Sequence, residues 1–209
     1  MTIRESSPPV ADVTDRGSRP TTGSESTRPG DSSSYVLSSA AAKSLAVLRI
    51  ALGFVFLWAF FDKLFGLHYS TPSANAWISG GSPTKGFLSG VDVGPFQSLF
   101  QSFAGAGWAN WLFMAGLLGI GVAMVLGIAM RAAAAAGALL LIFMWFAAYP
   151  LAQFSSAGEA TRSTNPLVDD HIINAVALVV VALCGAGATW GLGKQWARIP
   201  FGANHSWTR

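Results

Sequence analysis

The run NPLVDDHIINAVALVVVALCGAGATW, residues 165–190, sets three ionisable side chains, Asp169, Asp170 and His171, at the mouth of an apolar segment. About 20 apolar residues rising ~1.5 Å each cover the ~30 Å hydrocarbon core of a bilayer, so residues 172–190 are expected to span a membrane. Charge at the edge of such a span is costly unless something compensates it, which makes this junction the first place to look for chemistry.

Composition agrees. Hydrophobic residues make up 52% of the 209 and charged ones only 11%, with a mean hydropathy of +0.46, the profile of a membrane protein. The pI near 9.4 does not point to nucleic acid, because no basic and aromatic residues interleave on a foldable surface. Cys184 is the only cysteine, so there is neither a disulfide framework nor a Cys-x-x-Cys redox pair. Gly-x-Gly-x-x-Gly, a Walker loop, Gly-x-Ser-x-Gly and His-Glu-x-x-His are all missing, and no metal or nucleotide cofactor is implied.

Upstream, three further apolar segments are expected to span, at about 44–67, 108–130 and 132–149. In the first, Arg49, Gly53, Phe56, Phe60 and Lys63 recur at helical spacing on one stripe, while Asp62 points toward the face of Trp58. Arg49 reads either as a charged helix end that helps set topology or as an inward-facing buried group. The second span carries a ridge of small residues, Ala115, Gly119, Ala123 and Gly127, of the kind that lets membrane helices approach closely, including in an oligomer. Only Arg131 separates the second and third spans, and a continuous helix there would be about twice as long as the membrane is thick, so the chain must reverse near 127–132. Between 68 and 107 lies a long Gly/Pro-rich loop in which Phe96, Leu99, Phe100 and Phe103 suggest a short interfacial helix. Residues 1–42 are rich in Ser, Thr, Pro and Gly and lack an apolar run, the composition of a disordered tail rather than a signal peptide. The expected fold is therefore an all-α integral membrane four-helix bundle with a disordered N-terminal tail, a domain over 43–200 and a short C-terminal tail, 201–209.

Basic residues orient it. With the N-terminus cytoplasmic, ten Lys and Arg fall inside (the tail, Arg49, Arg131, Lys194, Arg198 and Arg209) and Lys63, Lys85 and Arg162 fall outside, so both termini are expected in the cytoplasm of a multi-pass cell-membrane protein. Asp62, Lys63, His68, Tyr149, Asp169, Asp170 and His171 then gather at the outer helix ends. Asp170 and Asn174, four apart, put that face of the last helix inward, and Lys63 is the expected charge partner of Asp170.

Three chemistries compete there. The pocket binds a quinone headgroup, with Lys63, His171 or Tyr149 donating to a carbonyl and Asp170 or His171 handling the proton; His68 and His171 ligate a haem or metal; or Asp169 and Asp170 cap the last helix. Capping leaves room for function beside it.

The segments Arg49-Ile50-Ala51-Leu52-Gly53-Phe54-Val55-Phe56-Leu57-Trp58 leading to Asp62-Lys63-Leu64, Gly81-Ser82-Pro83-Thr84-Lys85-Gly86-Phe87-Leu88, the turn at 127–131, and Asn165 through His171 together resemble the DoxX/DoxD family over roughly 43–200. The resemblance implies a small four-helix membrane protein. Its DoxD branch is similar to the large subunit of a thiosulfate:quinone oxidoreductase, which oxidises thiosulfate to tetrathionate and passes electrons to quinone. By analogy, the resemblance implies quinone as electron acceptor and a second oxidoreductase subunit or redox protein as partner. In the pocket at the outer helix ends, Asp170, His171 and Lys63 are expected as catalytic groups, with Asp62, His68, Tyr149, Asp169, Asn174 and Arg49 lining the binding site. A membrane scaffold that recruits redox or stress-defence proteins is the competing class, and a solute transporter a third.

Overall fold

A computed structural model describes residues 37–161 and 163–205, the side chain of Phe201 excepted. Most of the expected tail lies outside the described residues, but its last part does not: helix α1 begins at Ser39 and runs to Phe65. Ser38 caps it by accepting from the Ala41 amide at 3.2 Å, and the alanines beyond it lose no side-chain entropy on helix formation. Gly66, left-handed at φ 66°, ends it, its amide bonded to the Asp62 carbonyl.

Short helices α2 (Lys85–Ser89) and α3 (Gln97–Phe103) punctuate the loop after α1. A short helix is thus present where the phenylalanine spacing suggests one, with Phe100 buried and Phe96 and Leu99 exposed. Val91, Phe100 and Ala147 form a small cluster that docks the loop on the bundle. Asn110 ties it at a second point, its side-chain oxygen accepting from Ser82 Oγ at 2.9 Å and Thr84 Oγ1 at 2.7 Å.

Helices α4 (Gly107–Leu126), α5 (Met130–Ala148) and α6 (Asp170–Leu183) complete the bundle, followed by the short α7 (Gly193–Trp196) and α8 (Pro200–Asn204). Gly127, at φ 71°, makes the reversal between α4 and α5 where span length requires one. Leu52, Phe56, Leu117, Ile120, Met124, Leu141, Leu178 and Val181 interlock at the centre. Among the described residues there is no strand; Phe154 and Ala160 form one isolated bridge.

Helix α1 meets α4 backbone to backbone. A Cβ on Gly53 would stand 2.8 Å from the Val125 nitrogen, and one on Gly121 3.0 Å from the Leu57 nitrogen. The ridge read from the sequence is a different face: Ala115 and Gly119 point outward, with nothing within 4 Å of a Cβ built at Gly119. Helices α1, α4 and α5 are long and apolar enough to cross a membrane, and exposed Phe54, Leu112 and Leu139 leave an apolar surface for lipid.

The fourth span differs from expectation. Helix α6 has 14 residues, about 21 Å, and falls short of a ~30 Å core. Gly185, at φ 64°, turns the chain, and Gly187 presses on the α4–α5 corner so closely that a Cβ there would lie 2.5 Å from the Gly127 oxygen. The Leu192 amide then bonds to the Leu126 carbonyl at 2.7 Å. The run from Cys184 reads as uninterrupted apolar helix, but its glycines exchange helix for a close backbone crossing.

Candidate functional site

Helix direction sorts the polar residues into two ends. At one end are the 127–129 turn, the segment after α6, and Arg49. Its guanidinium is wholly buried: Nη1 donates to the carbonyls of Met124 and of Val125 (2.7 Å), and Nη2 to those of Thr189 (3.4 Å) and Trp190 (2.9 Å). Arg49 thus satisfies the open end of α4 and the non-helical chain beyond α6, whose carbonyls would otherwise lack a donor from the helix. Thirteen residues and about 20 Å of helix separate it from Asp62. It takes the inward role rather than the helix-end one, and it stands apart from the other candidate residues.

At the opposite end, Asp62 is 1% exposed, not turned outward beside Trp58. Its carboxylate accepts from the Tyr69 amide (3.2 Å), the Ser70 amide (3.1 Å) and Ser70 Oγ (2.6 Å), pinning the turn that carries His68 at φ 67°. Lys63, half-buried, donates to Ser70 Oγ at 3.3 Å. The expected Lys63–Asp170 ion pair does not form; the Asp170 side chain is 82% exposed. Asp62, Lys63 and His68 build a turn, and they line neither of the two cavities described below.

Tyr149, Asp169, Asp170 and His171 do share a cavity, of about 320 Å³, whose walls also include Thr161, Ser163 and Asn165. Asp169 caps α6: its Oδ1 accepts from the Ile172 amide at 3.2 Å and its Oδ2 receives His171 Nδ1 at 2.8 Å. Burial alone would raise the Asp169 carboxyl, but hydrogen bonds from His171 and the Ile172 amide outweigh it and hold the group below the ordinary carboxylate range. Against an ionised carboxylate Nδ1 carries the proton, which assigns Nε2 as the open ring nitrogen. Asp170 Oδ1 lies 3.7 Å from the same Nδ1.

The phase of α6 also differs from expectation. Its buried residues are Ala175, Leu178, Val181 and Ala182, so the inward stripe centres on the line of His171, with Val181, a member of the expected stripe, at its edge. At 3.6 residues per turn Asp170 lies roughly 90° from that centre and Asn174, four before Leu178, roughly 50° from it. Asn174 is half-buried and does not line the cavity.

Tyr149 is held in a left-handed conformation, φ 42°, at the end of α5, its amide bonded to the Trp145 carbonyl at 2.8 Å. Its ring rests on Gly94, where a Cβ would come within 2.9 Å of Cγ. Left-handed backbone at a bulky residue is strained and collects at functional sites. Thr161, Ser163 and Thr164 are wall residues that the sequence reading missed, and so is the support that Gly94 gives the Tyr149 ring; an isolated glycine in a loop carries no signal of what sits on it.

Asp169, Asp170 and His171 also bring one ligating atom each within 4.8 Å of one another. Both Asp169 oxygens are already engaged, by the cap and by the imidazole, so the grouping is the shape of a helix start and not three open ligands. What the arrangement can do is exchange a proton: an imidazole oriented and electrostatically supported by a carboxylate, facing a cavity at a helix end.

Residues 44–150, just over half of the chain, match the family model described as DoxX. No curated protein and no solved structure matches. The matched region takes in Arg49, Asp62 and Tyr149; the Asp169–His171 pair lies beyond it.

Proposed function

This chain belongs to the DoxX family of membrane proteins, and from that premise we propose that it is the membrane subunit of a quinone-linked oxidoreductase. The observation that carries the reading is the Asp169–His171 pair on the wall of the Tyr149 cavity. Reducing a quinone takes two electrons and two protons. Protonated at both nitrogens, His171 donates from Nε2 to a quinone carbonyl and delivers a proton as charge builds on that oxygen. Asp169 stabilises the imidazolium and fixes the ring. Apart from the two carboxylates and the imidazole, the cavity walls are neutral, with hydroxyl and amide groups beside Ala148 and Pro150, suited to an uncharged headgroup. As donor we propose thiosulfate: two thiosulfates join through a new S–S bond, and the two electrons released pass, with a second subunit, to the quinone.

The test is reduction of a soluble quinone analogue by membranes supplied with thiosulfate, comparing wild type with variants at matched abundance. His171→Gln is expected to lose about 100-fold or more, the usual contribution of a positioned acid–base group. Asp169→Asn keeps an equally good helix cap but removes the charge, and is expected to fall in the same direction. Asp170→Asn, on the cavity rim with its Oδ1 3.7 Å from the same Nδ1, is expected to fall by less than either, because its exposed carboxylate is screened by water. Full activity in His171→Gln would sink the proposal.

A further inference from the structure

A second cavity, of about 370 Å³, adjoins the first. Phe87, Val91, Val93 and Ala147 give it an apolar side, Asp92 and Ser155 a polar rim, and Ala148 and Thr161 line both cavities. Thr161 ends a small hairpin, residues 153–161, that is complete in itself. The Thr161 amide bonds to the Gln153 carbonyl (2.9 Å), the Ser155 amide to the Glu159 carbonyl (2.8 Å) and the Gly158 amide to the Ser155 carbonyl (3.0 Å). Thr161 Oγ1 closes the base on the Ala152 carbonyl at 2.7 Å. Among the described residues, the hydrogen bonds between this hairpin and the loop across from it come from one side chain, Asp92, which accepts from the Ser156 amide (2.7 Å) and from Ser156 Oγ.

We infer that residues 153–161 form a strap, clasped by Asp92, that closes over a two-compartment site: a polar head at His171 and an apolar portion against Phe87, Val91 and Ala147. The assignment of the head rests on the quinone reading; the strap does not. Hydrogen bonds at an exposed carboxylate exchange with water at little net cost, whereas the internal bonds persist, so release of the clasp moves the hairpin as a unit and leaves the bundle untouched. Pro150 before it and Pro166 after it stiffen the chain on both sides and confine the bending to the residues between. Because Thr161 is common to both cavities, lifting the strap opens their shared wall. A ligand longer than a single ring then enters with its apolar part behind its head.

The strap is tested without any ligand. In a Cys184→Ser background, Ala147→Cys places a thiol on the buried wall of the second cavity, and its rate of reaction with a small methanethiosulfonate reagent is measured in nanodiscs. Asp92→Ala is expected to raise that rate about fivefold or more, and to speed amide exchange across 154–160 together while the bundle helices keep their protection. Ser156→Ala, which keeps the backbone contact, is expected to fall between. An unchanged thiol rate in Asp92→Ala would overturn the strap. A quinone analogue with a short alkyl chain is then added: it is expected to slow labelling of Ala147→Cys, and the same ring without the chain is not. Binding that depends on His171 without protection at 147 overturns the two-compartment site. No binding at all, with strap opening still seen, refutes the quinone reading and leaves the strap standing.

Discussion

Replacing Arg49 by Met keeps the length and apolar stem of the side chain and removes the guanidinium. Four carbonyls lose this donor: Met124, Val125, Thr189 and Trp190. Met124 keeps the Gly127 amide as a second donor, so three acceptors, on Val125, Thr189 and Trp190, are left open in part-buried positions. At the lower bound of about 1 kcal/mol for an unsatisfied acceptor the three sum to about 3 kcal/mol. Against this, the burial penalty of the cation disappears, and with it the cost of Nε, which is buried and has no partner. A net loss of about 1–3 kcal/mol is therefore expected. The assay is equilibrium unfolding in mixed detergent and denaturing surfactant, with amide exchange followed over residues 186–192. Arg49→Lys provides the control on geometry. A single ammonium cannot reach two pairs of carbonyls on different segments, so Lys recovers about half of the loss. The role of Arg49 as a staple is refuted if Met at 49 changes stability by less than about 0.5 kcal/mol, the range of an ordinary surface substitution. It is equally refuted if stability falls while exchange over 186–192 stays unchanged.

The same geometry gives other expected outcomes. Gly187→Ala drives a methyl against the Gly127 oxygen and is expected to cost about 1–3 kcal/mol, measured by the same unfolding assay. Asp62→Asn loses the anionic acceptor that holds the Tyr69 and Ser70 amides and is expected to free the 66–71 turn, read as faster proteolysis there, with little effect on the Asp169–His171 cavity. Hydrogen bonds from Ser156, side chain first and then amide, hold the Asp92 carboxyl below its ordinary range. A depressed carboxylate contributes above its unfolded pKa, about 3.9, and the contribution is lost as pH falls through the lower folded value. The strap is thus expected to stay clasped at neutral pH and to open in acid below about pH 4, seen as loss there of the difference in amide-exchange protection over 154–160 between wild type and Asp92→Ala.

The spans were legible because apolar length and a tight reversal are local properties. The run at 44–67 and the two either side of 127–131 need no partner to be recognised. The stripe of Arg49, Gly53, Phe56 and Phe60 also reads correctly, since those residues are the buried face of α1. What was not legible is what long-range contacts decide. Nothing local says that α6 stops at Leu183, because Gly185 and Gly187 are tolerated within membrane helices; the stop is set by Gly127 and Arg49, about 60 and 140 residues upstream in sequence. Asp62 reads as outward on a wheel and is buried because the turn after α1 folds back to meet it.

The phase of α6 has the same origin, and it decides where the chemistry sits. Every side of that helix is apolar after Asn174, so periodicity cannot choose a face, and the expectation had to lean on the polar residues: Asp170 with Asn174, facing a lysine across the bundle. A carboxylate at the first turn has a cheaper fate. At a helix N-terminus water and free amides stabilise it, so Asp170 stays exposed and needs no cation. The imidazole beside it has an apolar body and a partner within its own turn, because Asp169 caps the helix and supports His171 with the same carboxylate. His171 can therefore turn inward at less cost than either aspartate, while the apolar positions below it, Ala175, Leu178 and Ala182, fill the core. The helix thus faces the way that buries an imidazole and leaves a carboxylate wet. The general lesson for charged helix mouths is to compare what each ionisable group can recruit locally before assigning it a partner across the membrane.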